Sequence, residues 1–214
     1  MSACTNAPLS VGQGTTFTRV YRWSAPPLIY KPVTAVPSLT PLTLTVTAHG
    51  VPNGWPVALT ALGGLAALNA SNWPPAPSDY LTATVVDTNT LAFTDVDASR
   101  VGTYTSGGTI AYLTPVPLTG VTGTLTILQP QGPPFTLTPP FPPALPTPIL
   151  TIAAVVTPAA QTISIMLTAA QTQALASGQY TYTLEVTDST GAVTLLDQGQ
   201  LLIFTPGVTG IPGL

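Results

Sequence analysis

Charge is what this sequence has least of. Only 5% of its 214 residues are Asp, Glu, Lys or Arg, against roughly a quarter in an ordinary soluble domain. Four Lys/Arg residues are too few for a nucleic-acid partner, because that affinity tracks the number of cations set against phosphates. Cys4 is the single cysteine, so no disulfide forms within the chain, and no zinc-ligand spacing is present. The opening residues Met1-Ser-Ala-Cys-Thr-Asn lack the basic and apolar regions of a secretory leader. Proline or glycine breaks every apolar run well short of the ~20 residues a membrane helix needs. These absences predict a chain made and kept in a cytoplasm, with no membrane partner.

Reacting groups are scarce as well. His49 is the only histidine, and no G-x-S-x-G motif accompanies it. Its place between Ala48 and Gly50-Val-Pro-Asn-Gly54 suits a turn better than a Ser/His/Asp triad. Glu185 is the only glutamate, so a pair of catalytic carboxylates would have to be aspartates, and no spacing supports one. Asp95-Val-Asp97 has the alternate carboxylates of a calcium loop, but the remaining ligands and the closing acid are missing. Turn chemistry accounts for Asp79, Asp87, Asp95 and Asp97 with fewer assumptions. The reading is a non-enzyme with no metal and no cofactor.

What is present is β pattern. Tyr80-Leu-Thr-Ala-Thr-Val-Val-Asp, Thr90-Leu-Ala-Phe and Thr109-Ile-Ala-Tyr-Leu alternate apolar and polar residues between Asn, Asp and Gly breaks, as an antiparallel meander does. Leu42, Leu44 and Val46 share one face with threonines opposite, and Trp55-Pro-Val-Ala-Leu-Thr is another strand. After the stiff connector Thr114–Pro117, a second β series runs through Leu118–Leu128, Leu150–Val156, Thr162–Thr168, Gln179–Thr187 and Val193–Phe204. One short helix is expected near 169–177, capped by Thr168 and ended by Gly178. The expected fold is all-β: a small β-barrel or meander module over 19–115, then an immunoglobulin-like β-sandwich over 116–205 with a tail from 206 to 214.

Two segments stand outside this pattern. Residues 1–18 are small and polar, an extended arm. Residues 130–148 carry nine of the 25 prolines together with Phe135 and Phe141, and prolines deny a sheet its N–H donors. Neither segment has apolar periodicity or a solvating charge. Both are therefore expected to lie on neighbouring subunits, with Phe17, Phe135 and Phe141 as anchors. The plainer alternatives are a mobile arm and a loop folded over its own sandwich. Arg19, Arg22 and Trp23 form either a contact patch or a solvated edge strand.

Residues 28–113 resemble a small β module of bacteriophage virion proteins, itself similar to the first catalytic cysteine half-domain of ubiquitin-activating enzymes. The resemblance rests on Ala48-His-Gly-Val-Pro-Asn-Gly-Trp-Pro-Val57, Leu68-Asn-Ala70, Tyr80–Leu91 and Tyr104-Thr-Ser-Gly-Gly108. It implies no ubiquitin chemistry, because nothing matches that enzyme's nucleotide site or catalytic cysteine. Residues 116–205 resemble the N-terminal domain of phage upper baseplate proteins. That likeness rests on Leu118-Thr-Gly120, Ile163–Thr168, Ser177-Gly-Gln-Tyr180, Val186–Val193 and Gly199–Phe204, while the proline-rich insertion departs from it. The resemblances imply a phage virion structural protein, assembled in the host cytoplasm as a homo-oligomer among other virion proteins. A tail or baseplate adaptor anchoring a fibre or receptor-binding protein is the first expectation. A capsid decoration (cement) protein is the second. A carbohydrate-binding module using Trp23, Trp55, Trp73 and tyrosines is the third.

Overall fold

The computed structural model describes residues 8–129 and 148–207. In chain order its strands are β1 (Leu9–Gly12), β2 (Phe17–Tyr21), β3 (Ser24–Pro32), β4 (Ala35–Leu39), β5 (Leu42–Thr45), β6 (Trp55–Thr60) and β7 (Tyr80–Asp87). They continue with β8 (Thr90–Phe93), β9 (Thr109–Pro115), β10 (Thr122–Leu128), β11 (Pro148–Thr157), β12 (Thr162–Leu167), β13 (Gly178–Thr187) and β14 (Val193–Phe204), and α1 (Ala169–Ala174) lies between β12 and β13. The protein is all-β. Its strands divide into two units, Ser24–Val116 and the described residues on either side of that span.

The first unit is one seven-stranded sheet in the order β3-β9-β6-β7-β8-β5-β4. Its two edge strands are consecutive in the chain, and the link between them ties both edges together. Val33 N–H donates to Gly108 O on the β9 side, and Thr34 N–H to Thr45 O on the β5 side, each at 2.9 Å. The sheet thus closes nearly into a barrel, which leaves little open edge to pair with another chain. Inside it, Leu42, Leu44, Trp55, Val57, Leu59, Leu91, Phe93 and Ile110 are fully buried. The period-two pattern puts them there, and each such side chain contributes roughly 1.5–3 kcal/mol of burial. Trp55 Nε1–H donates to Leu113 O at 3.1 Å, so the indole is buried without an orphaned donor.

Among the described residues the second unit also has seven strands, in the order β1-β14-β13-β10-β11-β12-β2. Here β11 changes partner along its length. Its first part, to Ala154, pairs with β10, and Val155–Thr157 pair with β12. A strand that switches partners in this way turns the corner of a two-layered sandwich. Gly123 stands opposite Ala154 at this corner. A Cβ on Gly123 would come within 2.9 Å of the Ala154 Cβ, so only glycine lets the two strands approach there. Leu125, Ile127, Tyr182, Leu184, Leu201 and Ile203 pack with Ile165 and Leu167 in the core.

The structure corrects one expectation. The described part of the 1–18 segment is not an extended arm, and residues 19–23 do not belong to the first unit. β1 lies parallel to β14, pairing Leu9 with Leu201 and Val11 with Ile203, and β2 pairs antiparallel with β12. Leu9 and Val11 are buried. Their connection is pinned from α1, where Thr172 Oγ1 donates to Thr15 O at 2.7 Å, and Gln13 Nε2 donates to Leu175 O at 2.7 Å. Four residues with two apolar side chains are too short to register as a strand in sequence. The ladder offered by β14 supplies what local pattern could not.

Candidate interaction surfaces

Of the residues expected at an interface, the structure engages four within the second unit. Phe17 packs against the core that contains Ile165 and Leu167. Trp23 packs with Tyr21 against Leu118, Val121, Ile163 and Val186. Arg22 donates from Nη1 to Ala160 O at 3.3 Å, and burial lowers its pKa. Phe135 and Phe141 lie outside the described residues.

Arg19 belongs to a buried polar cluster that pattern reading missed. Its Nη2 is 3.9 Å from Asp197 Oδ2, and its guanidinium lies 5.0 Å from the centre of the Tyr21 ring. Asp197, itself buried, accepts from Tyr182 Oη at 3.0 Å and from Gln198 N–H at 2.9 Å. Burial first, and then the hydrogen bond to Asp197, push the Tyr182 hydroxyl up to about 12. The Tyr21 hydroxyl is raised well above the usual phenol range, again by burial first and by Asp197 next, although it meets no partner at hydrogen-bonding geometry. Arg19 and Tyr21 come from β2, Tyr182 from β13 and Asp197 from β14. The cluster therefore clamps β2 across to β13 and β14. A sequence signal did exist: Arg19 and Tyr21 sit two apart on a strand, as do two residues sharing a face.

The opposite face of β2 is exposed and carries apolar side chains between Thr18 and Ser164. Val155 stands beside Ser164, and Ser164 beside Val20, in one row across β11, β12 and β2. Met166 stands beside Thr18 on the next row of that face. Val155, Val20 and Met166 are 60%, 56% and 49% exposed. Among the described residues β2 pairs only with β12, so its outer edge keeps backbone donors and acceptors free for another strand.

A second exposed feature belongs to the first unit. Tyr30, Ala111, Ala58 and Tyr80 form one register row across β3, β9, β6 and β7. Their sequence neighbours Ile29, Ile110, Val57 and Leu81 face the core, so this row faces outward. Ala58 and Ala111 are nonetheless completely buried. Over this row comes the 70–79 loop, whose Trp73 ring lies 5.7 Å from the Tyr30 ring at a 36° tilt, a favourable spacing for an aromatic pair.

That loop is held firmly. Ala70 N–H donates to Leu59 O at 2.7 Å. Asp79 accepts from Ser71 N–H, Asn72 Nδ2–H and Ala76 N–H at 3.2, 3.3 and 2.9 Å. The Ala76 bond and then the Ser71 bond hold the Asp79 carboxyl below its usual range. Yet Trp73 stays 56% exposed and Tyr30 50% exposed. Half an indole left in water forgoes roughly 2 kcal/mol of burial. Of the three tryptophans weighed as a stacking platform, Trp55 is internal, Trp23 is packed on its own core, and Trp73 is the one presented.

His49 is buried as a structural group. Its Nδ1 accepts from Val51 N–H at 2.9 Å, which assigns the proton to Nε2, and Nε2–H donates to Asp87 O at 2.8 Å. Tyr112 Oη donates to the His49 carbonyl. Both ring nitrogens are spent on backbone, which leaves neither for proton transfer or for a metal. Among the described residues no group of three His, Cys, Asp or Glu could hold a metal ion, and no helix is long and apolar enough to cross a membrane. Compared with known proteins, the chain matches no family model and no curated protein.

Proposed function

We propose that this chain is a structural subunit of a bacteriophage particle, placed in the tail or baseplate, where it anchors a fibre or receptor-binding protein. The observation that carries this reading is where the charges go. Of seven acids, Asp79, Asp87, Asp97 and Asp188 accept backbone N–H groups of their own turns. Asp197 is buried against Arg19, and Arg22 is bonded to Ala160 O. The turn aspartates stay at the surface and keep their charge, so with Asp95, Glu185, Arg22, Lys31 and Arg100 only nine charged side chains cover 214 residues. Such a surface repels its own copies weakly and favours association. The face of Val155, Val20 and Met166 beside the open edge of β2 offers such an association both apolar area and ladder hydrogen bonds. The resemblance of residues 28–113 and 116–205 to phage virion modules points to the same class.

Mass spectrometry of purified particles separated into heads and tails tests the reading. Recovery with tails at a fixed copy number per particle is expected. Recovery with heads would replace it by the decoration role, and absence from both would overturn it.

A further inference from the structure

We propose that the Tyr30–Trp73 platform of the first unit is a binding site for a neutral glycan, with a sugar ring stacked on the indole. Three observations converge. The aromatic faces are presented at 56% and 50% exposure on a loop fixed at Ala70 and through Asp79, so the platform is built before any ligand arrives. Its rim is polar without being charged toward the ligand: Asp79 has both oxygens committed to Ser71, Asn72 and Ala76, and no Lys or Arg lies in the 66–87 segment. Lys31, next to Tyr30, falls on the alternate face of β3 with Ile29, so no cation faces an anion there, and the charge of Asp79 is turned to the three N–H donors of its own loop. Uncharged hydrogen-bonding groups complete the rim, namely the Trp73 indole N–H, the Tyr30 hydroxyl and the Asn72 side-chain carbonyl.

A ligand matched to that set has a flat apolar face and uncharged hydroxyls around its edge, which is the chemistry of a pyranose. Its C–H face lies on the ring, and its hydroxyls accept from the indole N–H and exchange bonds with Tyr30 and Asn72. The covered alanines explain the shape of the platform. Ala58 and Ala111 keep the row between Tyr30 and Tyr80 low, so the loop can settle there and carry Trp73 to the surface. The site stands independently of the virion role, and either can fail while the other holds.

The test uses the full chain on an array of neutral and acidic glycans, followed by titration of the best hit by calorimetry and by tryptophan fluorescence. Binding of one or more neutral glycans is expected, with a blue shift of emission from Trp73, the most exposed of the three indoles. Trp73→Ala should weaken binding at least tenfold at an unchanged melting temperature, and Trp73→Phe should restore much of it. Tyr30→Ala should weaken binding several-fold. Three outcomes would overturn the proposal: no neutral glycan bound on the array, binding unchanged in Trp73→Ala, or a preference for acidic glycans. Trp73-dependent binding of a polyproline peptide with no glycan bound would reassign the platform to peptide recognition.

Discussion

The two units solve the edge problem of a β-sheet differently. The first ties its own edges together through Val33 and Thr34 and fills its interior with apolar side chains, leaving polar groups such as His49 to bind turns. The second, among the described residues, keeps β1 and β2 as edges and carries an Arg19–Asp197 ion pair with the buried Tyr182 and the half-buried Tyr21. A closed barrel needs nothing further to be complete, and what it displays, the Trp73 loop, is an addition on its outer face. An open sandwich keeps an edge and an apolar face available. The difference suits our two proposals, ligand binding on the first unit and assembly through the second.

The largest expected effect separates the units most sharply. Trp55→Ala removes an indole from the centre of the first core and should cost about 3–5 kcal/mol. Thermal unfolding monitored by calorimetry should then show a first-unit transition shifted well down and a second-unit transition left in place. A common shift of both would show that the units unfold as one body.

Asp197→Ala should cost the second unit about 3 kcal/mol, because Arg19 and the Tyr182 hydroxyl lose their partner in a largely dry site. Urea denaturation of that unit reads the loss. A loss under ~0.5 kcal/mol, the level of an exposed pair, would mean that the clamp contributes little.

The same cluster gives the second unit an alkaline limit. Tyr182 has a folded-state pKa raised from 10.0 to about 12. A group with a raised folded pKa adds stability below its unfolded pKa and loses it as pH climbs toward the folded value. Stability of the second unit should therefore fall between pH 10 and 12, and Tyr182→Phe should make that limb shallower, with the share of Tyr21 left in place. Urea midpoints at pH 9 and pH 11.5 for both proteins decide the matter, and an equally steep limb in Tyr182→Phe would assign it to other groups.

The smallest effect lies at α1. Thr168 Oγ1 accepts from Gln171 N–H at 3.3 Å while Gln171 Oε1 accepts from Thr168 N–H at 2.8 Å. Thr168→Ala should cost about 1 kcal/mol. Because α1 also holds Thr15 through Thr172, amide exchange in residues 9–16 should quicken with it.

Much of this architecture is written in local pattern. The alternation of Leu42 and Leu44, Val57 and Leu59, or Tyr182 and Leu184 names both strand and core face, because side chains of a strand alternate by geometry whatever the partner. The cap at Thr168, the aspartate turns at Asp87 and Asp188, and the Val51 N–H bond to His49 are also local, since each spans a few residues, whereas the His49 bond to Asp87 O reaches across 38 positions. What sequence could not carry depends on contacts between distant residues. Whether Leu9–Gly12 is an arm or a strand depends on β14, some 190 positions away. Arg19 lies inward because Asp197 waits there, a pairing that no spacing rule encodes. Of the three tryptophans, nothing local says which is core and which is surface. Trp55 and Trp73 both precede a proline, but the register of β6 turns one inward, and the Asp79-anchored loop holds the other out. Composition and periodicity determined an all-β, charge-poor chain. Only tertiary structure decided which faces that chain leaves open, because exposure belongs to the packed sheet and not to any one strand.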